Sequence, residues 1–500
     1  MSVIYDDKNR QVIPRCLPYA TACALGLLRV NRKQEQVPKN DVKGSNAEKE
    51  WIENPSVAAA VDLVAEALIV KDFESSEAIK SAKYILSKAP SASPLVNQLA
   101  RHFLEPPASI WIEPSQMPKV NFNREAIAQE IARIKKSVRN YPENPIAWCD
   151  LSLSYATLGQ IDKAKMAMNI AMNLGRNNRF VLRSASRCFL HSGEPDRAVA
   201  ILNKSGLCAI DPWIASAEIA ISEDAGMKSK CLGKARDLIK NDALTPFSRS
   251  ELGVSIGTIE IKSGSVRKAK KIIRQALIDP TENALAQTEW AASTFKIEFN
   301  GLVSLRNTVP ASYEAAAVHS FYGKEFAESL KASEKWRRFQ FLSSRPLILS
   351  TFLSSCMLND DLGAVNIFNN ALPAQRENHL AINNYAFALA KIGRTEEAKK
   401  VLDAVDMREA VTEEKLIITA TRGLICFREG HAEEGRELYA SAVRGFEAIR
   451  NSRATAIATY YWAVEEKRIN SENAESKIKE AKKGIERYKV FEFEDLAKKL

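Results

Sequence analysis

Two segments of the chain repeat one another at a distance of 34 residues. Gly159 and Ala164 in LGQIDKAKMAM return as Gly193 and Ala198 in SGEPDRAVAIL. A fixed period of about 20 to 50 residues is typical of stacked structural repeats. The chain has 500 residues, whereas a single compact core stops growing at roughly 250 to 300 residues. The sequence therefore predicts a quasi-one-dimensional array.

Within the first clear copy, the apolar residues follow a helical period. Trp148, Leu151 and Tyr155 fall on one helical face. Gly159 permits the backbone conformation that ends a helix, and Ala164 leaves room for a second helix to pack closely. The copy is therefore predicted to form two helices joined by a short turn.

The combined aromatic, small, Gly and Ala positions of residues 145–178 recur in residues 179–212 and resemble the tetratricopeptide repeat (TPR) family. The small residue at the Ala164 position returns, in or near phase, as Ala198, Ala235, Ala269, Ala364, Ala398 and Gly435. The resemblance implies an all-α fold, a right-handed superhelical solenoid of antiparallel helix hairpins. An atypical N-terminal segment and a polar capping C-terminal helix are expected at its ends.

Repeat phase and composition divide the chain into seven expected regions. They are an atypical, partly flexible N-terminal segment (1–54), an atypical helical hairpin region (55–103), a proline-rich linker (104–120), a TPR-like array (121–282), degenerate helical repeats (283–342), a second TPR-like array (343–467) and C-terminal capping helices (468–500). The phase blurs in the degenerate region, where FYGKEFAESLKASEKW resembles a second helix that lacks an identifiable first helix.

Neither composition nor motifs indicate a catalytic, cofactor or metal site. The net charge of +10 is spread along the chain, which is compatible with nucleic acid or an acidic peptide but also with solvated helix surfaces. The eight cysteines form no C-x-x-C pair, so they are predicted to be reduced and mostly packed as small core residues. The sequence contains no phosphate-binding loop, zinc-protease motif or nucleophile elbow. We therefore predict no catalytic residue, cofactor or metal site.

One apolar run, residues 17–28, resembles a targeting element but is too short to span a bilayer. Asp6 and Asp7 stand where a secretory signal carries basic residues, and Arg29 follows the run directly. A cytoplasmic protein without a membrane partner is therefore expected.

In the TPR family, the fifth, ninth and thirteenth residues of each first helix face a concave groove. Such residues are four apart and form one stripe. The stripe predicts a partner-binding groove made of Arg183, Arg187, His191, Lys262, Asn383, Phe387, Lys391 and Arg428. Under this interpretation a partner protein or peptide with acidic and apolar features binds there. The alternative is that these cations form only a solvated face.

By resemblance, the leading hypothesis is a non-enzymatic scaffold or adaptor that binds a partner protein, regulating an effector in a bacterial signalling, secretion or defence assembly. A nucleic-acid-binding solenoid is the alternative, and an enzyme with a site assembled from separate repeats is a third hypothesis. Residues 1–54 do not follow the repeat, and we expect them to dock on the partner or on the solenoid's own end. Partner identity and oligomeric state stay open.

Overall fold

The computed structural model describes residues 1, 10–25, 27, 45–70, 72–88, 94–105, 124–241 and 244–500. The chain forms two compact units. The larger comprises residues 1–23, 118–241 and 246–500, and the smaller comprises residues 24–117 and 242–245. Residues 106–120 of the predicted linker and residues 31–44 of the atypical N-terminal segment lie outside the described residues.

The regular elements of the described chain are helices. From the N-terminus to the centre they are α1 (Tyr19–Ala24), α2 (Asn46–Glu53), α3 (Val57–Val70), α4 (Ser76–Ser87), α5 (Pro94–Leu104), α6 (Arg124–Asn140), α7 (Pro145–Thr157), α8 (Ile161–Leu174), α9 (Arg179–His191), α10 (Pro195–Lys204), α11 (Pro212–Asp224), α12 (Leu232–Leu238), α13 (Pro246–Lys262) and α14 (Val266–Ala276). They continue as α15 (Glu282–Phe295), α16 (Leu302–Thr308), α17 (Tyr313–Tyr322), α18 (Phe326–Phe339), α19 (Arg345–Phe352), α20 (Asp361–Asn369), α21 (Pro373–Arg376), α22 (His379–Lys391), α23 (Thr395–Asp403), α24 (Thr412–Glu429), α25 (Ala432–Ala448), α26 (Ser452–Arg468), α27 (Ala474–Arg487) and α28 (Glu494–Lys499). A short 3-10 turn (Leu207–Ala209) and a π-helical turn (Leu353–Met357) complete the set.

The first clear repeat forms the hairpin that its sequence predicts. Gly159 adopts a φ of +73° between α7 and α8, a conformation that glycine accepts without strain. Ala164 is fully buried, and its carbonyl accepts a hydrogen bond of 2.8 Å from the Ser152 hydroxyl on α7. The larger unit is therefore an all-α solenoid of antiparallel hairpins that resembles TPR proteins.

The blurred centre of the repeat pattern also contains a hairpin, formed by α17 and α18. Its turn holds Lys324, not glycine, in the left-handed conformation at a φ of +60°. Ser329 then takes the small position five residues later and donates a 2.8 Å hydrogen bond to the Ala317 carbonyl. The repeat pattern cannot be recognised in the sequence here because the turn position lacks its usual glycine and the packing position its usual alanine. The backbone nevertheless forms the same kind of hairpin.

The C-terminal residues of the larger unit pack against the hairpin α17–α18 of the same unit. Phe491 stacks on Tyr322 with ring centroids 5.3 Å apart, and Lys324 Nζ lies 3.0 Å from Glu494 Oε2. Phe493 is fully buried. The C-terminal helices therefore cover apolar surface of the hairpin α17–α18, about 170 residues earlier in the chain.

The smaller unit has its own apolar core. Helices α3 and α4 occupy the two amphipathic segments of residues 55–88, and α2 and α5 flank them. Leu63, Val64, Ala82 and Ile85 are fully buried in this core.

One expectation about the cysteines is wrong. Cys208 and Cys231 form a disulfide with a Cα–Cα distance of 5.9 Å. Cys208 lies in the 3-10 turn after α10 and Cys231 directly precedes α12, so the fold joins two cysteines whose spacing of 23 matches no motif. Cys16, Cys149, Cys188 and Cys426 are buried and form no disulfide.

Candidate functional site

Met1 and residues 10–18, which we call the N-terminal segment, lie inside the larger unit along the face formed by α15, α17, α22 and α24. From here on we call this face, and not the predicted stripe of first-helix residues, the groove. Arg10 is only 2% exposed and Val12 is fully buried, and Val12 belongs to the same apolar cluster as Trp290 on α15. Met1 contributes to the core around α22 and α24. The segment therefore docks within the solenoid, whereas the sequence led us to expect docking at its end or on a partner.

Side-chain amides of the groove bind the backbone of this segment. Gln287 Nε2 donates to the Arg10 carbonyl at 2.8 Å, and Asn283 Nδ2 donates to the Ile13 carbonyl at 3.0 Å. The same two amides accept hydrogen bonds from the Arg10 guanidinium at 2.6 and 3.2 Å. Both are fully buried. Because they contact both backbone carbonyl groups, which every residue has, and the Arg10 side chain, these amides can bind a peptide chain that carries an arginine at this place.

Glu314 on α17 is the electrostatic centre of the groove. Its carboxylate lies 2.8 Å from Arg10, 2.5 Å from Arg15 and 2.8 Å from Arg345. Burial alone would raise the pKa of Glu314, but the three guanidiniums outweigh it and hold that pKa well below its ordinary value. Arg15 also pairs with Glu282 at 3.0 Å. There the effect of burial is larger than that of Arg15, so the pKa of the Glu282 carboxyl is raised. The groove is therefore acidic where the N-terminal segment lies.

A polar cavity of about 450 Å³ lies beside this cluster. Arg187 and His191 on α9 line it, together with Arg10 and Arg15 of the segment and Gln340 after α18. Arg187 donates to the Leu342 carbonyl at 2.6 Å. Burial, aided by the neighbouring Arg187, lowers the pKa of His191 to about 4, so this imidazole is neutral at pH 7.

A second, more apolar cavity of about 410 Å³ is lined by α1, α6 and α7. Asp150 on α7 lies in its wall and accepts a 2.9 Å hydrogen bond from the Tyr19 backbone N–H. Burial raises the pKa of Asp150 to about 6, against the smaller opposing effects of that hydrogen bond and of Arg133.

Four cations of the predicted stripe are paired with carboxylates of the chain itself. The pairs are Arg183–Glu251 at 2.9 Å, Lys391–Asp361 at 2.9 Å, Arg428–Glu465 at 2.7 Å and Lys262–Glu223 at 3.8 Å. Arg183 also lies over the Trp213 ring at 5.1 Å. Since each charge is largely neutralised within the fold, these side chains contribute less positive potential than the sequence pattern implied. Their contact with a partner stays a prediction.

The remaining stripe residues lie on α22 and are buried. Asn383 donates to the Met1 carbonyl at 2.7 Å and accepts a hydrogen bond from the Thr421 hydroxyl at 2.7 Å. Phe387 is 2% exposed and meets the Tyr461 ring edge-on with centroids 5.0 Å apart. The structure thus brings Arg187 and His191 to the cavity and Asn383 to the N-terminal segment, and these groups are not one continuous stripe.

Sequence reasoning missed Asn283, Gln287 and Glu314 because they lie where the repeat phase is lost. One signal was present: Asn283 and Gln287 are four residues apart, the spacing of Asn383 and Phe387. The carboxylate partners also gave a signal: Arg428 and Glu465 are separated by 37 residues, the same distance as between the repeat positions Ala198 and Ala235.

Among the described residues, no group of three or more His, Cys, Asp or Glu side chains is arranged to hold a metal ion. Within the same ranges, no helix has the length and apolar character needed to cross a membrane.

No protein-family model matches the sequence, and no curated protein matches it significantly. Solved structures with a similar fold include a human IFIT1 dimer with PPP-AAAA, at 15% identity and a TM-score of 0.34, covering 81% of this chain and 95% of that chain. Yeast Tom70 aligns at 13% identity and a TM-score of 0.31, covering 88% and 95% of the two chains. The APC/C hetero-tetramer Cut9–Hcn1 aligns at 11% identity and a TM-score of 0.30, covering 87% and 88%. Such loose alignments carry no functional argument, and the fold assignment rests on the hairpins themselves.

Proposed function

We propose that this protein is a non-enzymatic scaffold that holds an extended, arginine-containing segment of a partner protein in the groove. Its own residues 10–18 occupy that place in the unbound chain, and the partner segment displaces them. Gln287 and Asn283 carry the proposal, since each contacts both a backbone carbonyl of the segment and the Arg10 side chain. Side-chain amides that donate hydrogen bonds to backbone carbonyls are suited to binding a protein segment.

Charge supports a basic partner segment at this position. Glu314 and Glu282 are both about 1 to 4% exposed at their side chains and face Arg10 and Arg15. Removing the arginines without replacement would leave these carboxylates buried and unpaired, which is strongly unfavourable. A displacing segment therefore needs guanidinium or ammonium groups near the same places. This chemistry differs from the acidic partner that the basic stripe suggested.

The proposal is tested with the full chain carrying Arg15→Glu and a fluorescent peptide of residues 10–18. The substitution places a carboxylate beside Glu282 and Glu314, so repulsion frees the groove. The peptide should bind this variant with measurable anisotropy and bind the wild-type chain at least about tenfold more weakly, because the tethered segment competes at high effective concentration. A peptide that itself carries Arg15→Glu is the matched control and should not bind.

Absence of peptide binding to an Arg15→Glu chain whose helical circular dichroism is intact would contradict the proposal.

A second test looks for the partner itself. The wild-type chain and the variant Gln287→Leu, each with a C-terminal tag, are affinity-purified from the protein's own host. A protein bound in the groove should be lost from the variant.

The nucleic-acid alternative predicts a different dependence on salt. Binding to a phosphate backbone weakens log-linearly and steeply as salt concentration rises. A groove-bound protein segment held by buried amides and ion pairs should depend on salt weakly. A steep slope for the host-derived ligand would favour the alternative.

A further inference from the structure

The polar cavity beside Glu314 has the composition of an anion site. It is lined by Arg10 and Arg15 from the N-terminal segment, by Arg187 on α9 and by Arg345 on α19. We propose that this cavity binds a small phosphate-bearing molecule, held between the N-terminal segment and helices α9 and α19.

The first argument is a surplus of positive charge. Four guanidiniums line the cavity, whereas Asp224 is the one carboxylate among its described lining residues. Glu282 and Glu314 pair with Arg10, Arg15 and Arg345 but do not themselves line the cavity. Within the described ranges of the chain, no carboxylate lies within ion-pair distance of Arg187, which donates a hydrogen bond to the Leu342 carbonyl. Asp224 interacts with Arg187 only from beyond that distance, so the cost of burying this cation is incompletely offset, and a bound anion would offset more of it.

The second argument is an unused donor. Gln340 is 6% exposed, and its Oε1 accepts a 3.0 Å hydrogen bond from Arg15. Because a guanidinium can only donate, this contact fixes the amide with Nε2 directed away from Arg15. Among the described residues, that buried Nε2 has no hydrogen-bond partner, and neither has the buried Nε2 of His191, which lines the same cavity. An oxyanion in the cavity would satisfy the amide donor.

Size and geometry favour a small molecule with a tetrahedral oxyanion. The cavity volume of about 450 Å³ lies within the usual range for small-molecule sites, roughly 300 to 1,000 Å³. Guanidiniums approach from three separate parts of the chain, the N-terminal segment, α9 and α19, and planar forks of this kind bind phosphate oxygens in pairs. Because Arg10 and Arg15 belong to the N-terminal segment, the ligand would also hold that segment in the groove.

The test uses the full chain with inorganic phosphate, pyrophosphate and ADP, titrated at constant ionic strength with sodium chloride as the reference salt. A ligand that binds the folded state raises the melting temperature with its concentration. We expect a saturable rise of a few degrees with at least one of the three probes and no rise with chloride. Isothermal titration calorimetry on the same samples gives the dissociation constant.

Gln340→Glu is the decisive variant. Its carboxylate keeps an acceptor for Arg15, so the variant should fold, yet it removes the amide donor and adds a charge that repels an anion. Affinity for the probe should fall at least about tenfold, as the loss of one charge-assisted hydrogen bond implies. Arg187→Gln should have the same effect. Arg408→Gln is the matched control, since the Arg408 side chain is 91% exposed and pairs only locally with Asp406.

Failure of all three probes to bind the wild-type chain would overturn the proposal. Equal affinity of the wild-type and Gln340→Glu chains would also overturn it. Both outcomes are measured on chains that keep their own segment in the groove and without added peptide, so failure of phosphate binding is distinguishable from failure of peptide binding to the Arg15→Glu chain.

Discussion

Arg10 and Glu314, 304 residues apart, form an ion pair of 2.8 Å in which each side chain is only 1% exposed. This contact joins the N-terminal segment to the centre of the repeat array. A buried pair of this kind contributes little net stability, but removing one partner is costly because the other charge is left in a dry environment. It therefore fixes where the segment lies more than how stable the fold is.

Glu314→Gln should destabilise the protein by about 3 to 5 kcal/mol, the usual cost of breaking a buried ion pair. The variant leaves Arg10, Arg15 and Arg345 with one carboxylate fewer. Urea unfolding followed by circular dichroism measures the change. Glu396→Gln is the control, because the Glu396 side chain is 78% exposed, and it should change stability by less than about 0.5 kcal/mol.

Gly253→Val should destabilise the hairpin α13–α14 by about 1 to 3 kcal/mol through overpacking. A Cβ at Gly253 would lie 2.8 Å from the Ala276 Cβ, closer than side chains tolerate. Gly233→Val is the matched control, since a Cβ there meets no atom within 4 Å. Equal melting temperatures for the two variants would show that the helices are not in close contact at Gly253.

Lys324→Gly should be more stable than Lys324→Ala by about 1 kcal/mol. Both substitutions remove the exposed ion pairs of Lys324 with Glu494 and Asp495, so the comparison isolates the backbone. At a φ of +60° alanine is strained and glycine is not. Thermal unfolding of the two variants gives the difference, and the reverse order would contradict the assignment of this turn.

The repeat array could be predicted wherever glycine and alanine occupy the turn and the packing position, as at Gly159 and Ala164. It could not be followed through Lys324 and Ser329, where other residues take the same conformation and the same close contact. Helix periodicity depends on local apolar spacing and can still be recognised in the sequence around Lys324. The phase of the hairpins depends on the residues at two particular positions, and it cannot be recognised there.

The site was only partly predictable for a related reason. Arg187, His191 and Asn383 face the cavity or the N-terminal segment, but their partners come from parts of the chain that no local pattern connects. Glu251 is 68 residues from Arg183. Docking of the segment depends on burial and charge pairing across about 300 residues, which spacing within one helix cannot reveal.

Asp150→Asn should make the protein more stable at pH 7 to 8. The folded pKa of about 6 exceeds the ordinary value of about 3.9 for an unfolded aspartate. Between these values the folded chain binds more protons, so the free energy of unfolding falls as pH rises. The asparagine removes that fall and should gain about 1 to 3 kcal/mol above pH 7.

Urea unfolding of both chains at several pH values checks this prediction. The two chains should converge below about pH 3, where Asp150 is protonated in both the folded and the unfolded state. The titration of His191, which has the opposite sign, is present in both chains and cancels in the difference. A difference that does not depend on pH would contradict the role of Asp150.

Docking of residues 10–18 in the groove is tested most directly by the reactivity of Cys16. Its thiol is 7% exposed, and burial raises its pKa to about 12, so alkylation by iodoacetamide at pH 8 should be slow. Mass spectrometry of the labelled peptide should show a rate at least about 100-fold below that of the chain unfolded in guanidinium, and a faster rate in Arg15→Glu. A wild-type rate equal to the unfolded rate would show that the segment does not lie in the groove.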